Sequence, residues 1–128
     1  MVATLNGSKP IEQIKVGDWV VGYDPESGQK VPEQVTRTFV HQAQPTLWLM
    51  TTGGSVNTTS IHPFWDGHEW EDAGQLVPGK SYVMDSSGKL QKVLLAMPGS
   101  AQTVYNLEVG STNHDYYANG FLVHNKPI

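Results

Sequence analysis

The residues with the clearest chemical potential lie near the end of the chain. There the apolar run Phe121-Leu122-Val123 delivers His124-Asn125, with only Lys126-Pro127-Ile128 after it. An asparagine side-chain amide can attack its own backbone carbonyl, closing a five-membered succinimide and expelling the following amine. A preceding histidine can polarise that carbonyl or protonate the leaving nitrogen. The attack is intramolecular, so a fold that holds Asn125 in the right rotamer needs no external nucleophile. The same residues would also suit a fraying terminal strand. The pair therefore gains meaning only from helpers elsewhere in the chain.

Two helper groups stand out. Thr59-Ser60-Ile61-His62 ends an extended run, and its hydroxyl and imidazole can share one side of a turn. From there they could hydrogen-bond a strained peptide unit and protonate its nitrogen. The plainer reading is that Thr59 ends a strand and His62, held by Pro63, caps a turn. His114, in Thr112-Asn113-His114-Asp115, lies one hairpin upstream of Asn125 and could approach its side-chain amide as a base. An Asp115–His114 relay is not expected, because strand neighbours point to opposite faces. His62 and His68 with Asp66 or Glu69 invite a metal reading, but an irregular loop fixes no coordination geometry and no cysteine is present. Trp19, Trp48, Trp65 and Trp70 read as core and loop-packing residues. Ser60 lacks the glycine context of a nucleophile elbow.

The elements that must position these groups are strands. Ile11–Val16 and Trp19–Tyr23 flank the turn pair Gly17-Asp18, and Asp24-Pro25-Glu26-Ser27-Gly28 makes the next turn. Gln34–Val40 alternates and is β-branched; Thr46–Thr52 and Ser55–Thr59 form a hairpin through Gly53-Gly54. His62-Pro63-Phe64-Trp65 breaks the pattern, and Glu71–Leu76 could form one helical turn. Further strands are expected over Ser81–Met84, Leu90–Leu95, Thr103–Val109 and Tyr116–Ala118. Asn119-Gly120 is a type I′ signal leading into Phe121–Val123. Ile14–Val20 and Leu76–Val83 both run apolar, turn, apolar, which hints at a duplicated all-β module.

Composition narrows the partners. A chain of 128 residues is one domain's length. A net charge of −4 without a Lys/Arg-rich run argues against nucleic acid. No apolar stretch reaches membrane-spanning length, and the opening residues do not make a signal peptide. The absence of cysteine removes disulfides, thiolate metal sites and thiol nucleophiles together.

Taken in order, these segments resemble the Hint domain, the fold shared by inteins, bacterial intein-like domains, hedgehog autoprocessing domains and pre-toxin modules. Gly7–Val20 resembles the family's opening segment, Thr59–Phe64 its Thr-x-x-His block, and Ala73–Gly79 the segment that follows. Val104–Val109, His114–Tyr117 and Gly120–Asn125 resemble its C-terminal blocks. The resemblance covers essentially the whole chain. It implies an all-β, pseudo-two-fold, horseshoe-like fold of many short curved strands. Residues 1–125 would form an autoprocessing domain, and 126–128 the stub of a flanking segment.

Departures from the family decide the chemistry the resemblance implies. The family opens with a Cys, sometimes Ser, that attacks the preceding carbonyl; here Met1 leads directly into the strand that follows that residue, so the nucleophile block is expected to be missing. Lys126 stands where splicing needs Cys, Ser or Thr, and lysine cannot form the branched ester. Full splicing is therefore excluded twice. What survives is cleavage between Asn125 and Lys126, with His124 assisting the departing amine and His114 orienting or deprotonating the Asn125 amide. Thr59 and His62 would have served the missing first step and are expected to be mainly structural. The implied partner is the chain's own flanking polypeptide, a C-terminal effector or toxin domain in a bacterial secreted or surface protein. No cofactor or metal is called for, and a monomer is expected. A catalytically inactive Hint scaffold is the alternative, and an unrelated all-β peptide- or carbohydrate-binding module is a remoter one.

Overall fold

A computed structural model describes residues 1–110 and 113–124. The strands are β1 (Val2–Thr4), β2 (Gly7–Lys9), β3 (Trp19–Asp24), β4 (Gln29–Gln44), β5 (Leu47–Thr51) and β6 (Gly54–Thr58). They continue with β7 (Pro63–Trp65), β8 (Trp70–Asp72), β9 (Tyr82–Met84), β10 (Leu90–Pro98), β11 (Gln102–Val109), β12 (Asp115–Ala118) and β13 (Phe121–His124). The all-β expectation holds, since the only helical pieces among the described residues are 3-10 turns at Ile11–Gln13 and Ala73–Gln75.

A nine-stranded sheet runs in the order β11-β4-β3-β1-β12-β13-β7-β8, with β2 paired to β1, and a four-stranded sheet runs β6-β5-β10-β9. β4 links two parts of the large sheet. Its first half pairs with β3, from Gln29↔Asp24 to Gln34↔Trp19, and its second half with β11 through bulges at both ends. Bulges bend and twist a strand, which lets one long ribbon curve around the core.

The hinted repeat is visible as geometry. In both 3-10 turns the residue after the turn donates its N–H back to the first carbonyl, Ile14 to Ile11 at 3.1 Å and Leu76 to Ala73 at 3.2 Å. Each segment then reaches a glycine in the left-handed region, Gly17 at φ +94° and Gly79 at φ +81°. Ile14 and Leu76 are both buried and anchor their turns to the core.

Two local expectations are corrected. Ile11–Val16 is not a strand: Pro10 presets the chain for the 3-10 turn at Ile11–Gln13, which seats Ile14 inward. His62-Pro63-Phe64-Trp65 does contain a strand, β7, short enough to escape periodicity. Proline is tolerated there as the strand's first residue.

The β12–β13 hairpin is the centre of the molecule. Its register runs from Asp115↔His124 to Ala118↔Phe121. The turn residues Asn119 (φ 51°) and Gly120 (φ 85°) are both left-handed, as a type I′ turn requires. Tyr116, Phe121 and Val123 join the main core, while Tyr117 and Leu122 join a second cluster with Met84, against which Trp65 and Trp70 pack. The apolar run Phe121-Leu122-Val123 is therefore buried on both faces, which explains why it does not alternate.

Candidate active site

His124 ends β13 at the edge of the second cluster. Its imidazole lies 4.9 Å from the Trp70 ring in a T-shaped contact at 69°. Trp70 is braced by Trp65, its cross-strand partner, at 5.1 Å. Trp65 and Trp70 are thus packing residues, as expected, but what they pack includes the His124 ring. That role was not legible, because it depends on β8 lying two strands away from β13.

His114 immediately precedes β12, the other strand of the hairpin. Its ring centroid is 6.1 Å from that of His124, with the planes tilted by 53°. The Asn119-Gly120 hairpin thus places the two rings near each other, while the expected approach of His114 to the Asn125 amide falls on a residue outside the described ones. His114 adopts φ 54°, uncommon for a non-glycine residue. Its Nδ1 lies 3.3 Å from the Val109 carbonyl oxygen. A proton on Nδ1 for that contact makes Nε2 the basic nitrogen. Asp115 Oδ1 accepts the Tyr23 N–H at 2.9 Å. Asn125 and Lys126 lie outside the described residues.

Thr59 and His62 follow β6 in a tight turn. The Thr59 carbonyl accepts the His62 N–H at 3.3 Å, and the His62 carbonyl accepts the Ala73 N–H at 3.0 Å. Both side chains line an open cleft of about 460 Å³ whose walls include Phe64, Tyr116, Asn119 and Val123. Thr59 Oγ1 and His62 Nε2 are buried and make no hydrogen bond among the described residues. Such atoms are uncommon, and each costs about 1–3 kcal/mol in lost solvation. Burial, and secondarily the nearby His124, push the His62 imidazole down to about 4, although the charge of Asp72 opposes the shift. His62 is thus neutral at pH 7. It also lies within electrostatic reach of His124, which the other cluster presents.

The residues weighed as metal ligands separate. His62 lines the cleft, whereas His68 is exposed in the β7–β8 loop, where Asp66 Oδ1 accepts the N–H groups of His68 and Glu69 at 2.7 and 2.8 Å.

Comparison with known proteins agrees with this architecture. The family model described as the pretoxin HINT domain matches residues 1–127. The solution structure of a bacterial intein-like domain from Clostridium thermocellum is 33% identical, with a TM-score of 0.85 over 98% of this chain and 94% of that one. The gp41-1 intein is 23% identical with a TM-score of 0.81, covering 97% of this chain and 92% of its own. A DnaB intein from Synechocystis sp. PCC 6803 is 17% identical with a TM-score of 0.88, covering 98% and 94%. These two share the fold. No curated protein is significantly similar. A family match along nearly the whole chain, and a relative one-third identical over the same span, make this protein a member of the pretoxin HINT family, built on the Hint/intein fold.

Proposed function

We propose that this chain cuts its own backbone between Asn125 and Lys126. The Asn125 side-chain nitrogen attacks the Asn125 carbonyl carbon and loses one proton. The bond to the Lys126 nitrogen breaks, and that nitrogen leaves as an amine after gaining one proton. The remaining chain ends in a succinimide. His114 takes or orients the amide proton, and His124 supports the departing nitrogen. Thr59 and His62 offer unsatisfied polar atoms to a peptide group of the flanking polypeptide in the cleft. Lys126 begins the released segment, and the pretoxin family description supports a toxin domain there, within a larger secreted protein.

The observation that carries this reading is the histidine pair, with rings 6.1 Å apart where β13 ends, one residue before Asn125. The test is intact mass over time. The expected result is loss of Lys126-Pro127-Ile128 with a dehydrated new C-terminus, abolished by Asn125→Ala. An unchanged mass over days, or the same loss in Asn125→Ala, would falsify the reading.

A further inference from the structure

Two carboxyls that this chemistry does not use are buried together. Glu33 of β4 is 1% exposed, and Asp115, the first residue of β12, is 0%. They meet beside Gly22 of β3. A Cβ on Gly22 would run into the Glu33 carboxyl and sit 2.7 Å from Asp115 Oδ1, so the pair occupies the space that glycine leaves. Asp115 Oδ1 accepts the Tyr23 N–H at 2.9 Å, and both carboxyls reach within 2.7 Å of the same point beside Gly22, close enough for one proton to bridge them.

Two ionised carboxylates are acceptors only and cannot hydrogen-bond to each other. One retained proton supplies the missing donor. Burial is the main cause of its retention, pushing Glu33 up to about 9 and raising Asp115 as well. The surrounding groups do little to favour a second negative charge. Asp24 of β3 opposes it, and His114 favours it. Tyr23 and Tyr117 lie close by with their phenols, and Lys30 of β4 is placed over the Tyr117 ring at 5.1 Å. Asp85 adds a further negative charge beside Tyr117.

We propose that Glu33 and Asp115 share one proton at neutral pH, and that the pair is a positioning device that pins the start of β12 to β3 and β4. The residue it steadies is His114, immediately before Asp115, whose left-handed backbone must be held by its surroundings. The consequence for catalysis rests on the cleavage reading above; the shared proton does not.

Glu33→Gln tests both parts, because it keeps the shape and gives Asp115 a permanent N–H donor. Free glutamate titrates near 4.5, whereas the folded pair keeps its proton to about 9. Between these values the folded state binds the extra proton, so wild-type stability declines as pH rises. The Tm of wild type should therefore fall relative to Glu33→Gln from pH 5 to pH 9. Above pH 9 the wild-type pair carries two charges and loosens. The His114 ring resonances in NMR spectra should then move between pH 8 and 10 in wild type and stay still in Glu33→Gln. Release of Lys126-Pro127-Ile128 by Glu33→Gln should remain within about twofold of wild type at pH 7. Parallel Tm profiles would overturn the shared proton, and His114 resonances that respond alike in both chains would overturn the positioning role. A wild-type chain that never cleaves would sink the cleavage reading, while the Tm profiles and resonances still decide the pair.

Discussion

The two groups of chemistry-bearing residues are built in opposite ways. His114 and His124 stand at the open end of a hairpin buried on both faces, braced by Trp70 and by the Val109 carbonyl. Thr59 and His62 stand in a turn on the wall of an open cleft, with two buried polar atoms unsatisfied. The first group is pre-organised by the fold itself. The second carries a solvation cost that a hydrogen-bonding guest would relieve. A rigid element thus holds the histidine pair, and the unmet hydrogen-bonding capacity faces the cleft. Yet the groups are not independent, because His124 lies close enough to His62 to lower the proton affinity of its ring.

The sharpest way to break this contrast is to remove one member of each group. His124→Ala should slow release of the C-terminal residues by about 100-fold or more, the usual worth of a positioned acid–base group. Thr59→Val should leave that rate within about threefold, since the hydroxyl belongs to the cleft and not to the histidine pair. Time-resolved intact mass compares the two, and equal slowing would erase the distinction.

Acid titration separates them next. His62 is held down at about 4 when folded and titrates near 6.5 when unfolded. Between these values the unfolded chain binds a proton that the folded chain refuses. Stability is therefore full above about pH 6.5 and lost as pH falls toward 4, by at most about 1.4 kcal/mol per pH unit. His62→Asn should flatten that part of the Tm profile. A Tm that declines in parallel for both chains would remove the buried neutral imidazole from the account.

The smallest effect concerns the hydroxyl alone. Thr59→Val replaces an unsatisfied buried oxygen by a methyl group of similar shape, so denaturation should show a gain of about 1 kcal/mol. A loss of similar size would mean that the hydroxyl is satisfied in solution.

Much of this arrangement was legible in the chain itself. Asn119-Gly120 fixes a hairpin because both residues tolerate positive φ, and the pairing that follows brings the residue before β12, His114, toward His124. The alternation in Gln34–Val40 revealed β4 but not its length, because the strand changes partner midway from β3 to β11. β7 was hidden by its brevity and by Pro63. Ile11–Gln13 looked extended because a single 3-10 turn carries too few residues to show a period. The Trp70–His124 contact and the Glu33–Asp115 pair were beyond reach. Each joins residues distant in the chain through strand order, and two isolated carboxyls in a sequence look like surface charges. Gly22 was the faint clue, a glycine inside a β-rich run where a close approach is one standing explanation.

The order of the central strands also has a mechanical side. β1 is antiparallel to β12, and β12 is antiparallel to β13, so β1 and β13 run in the same direction with one strand between them. A pull outward on Val2 and on His124 therefore draws these two strands in opposite senses along their own lengths. The four-pair β12–β13 ladder is loaded in shear, its hydrogen bonds strained together and not unzipped one after another, while β1 joins β12 at the single pair Val2↔Ala118. Tension in a longer polypeptide would pass through the same three strands that hold the histidine pair in register.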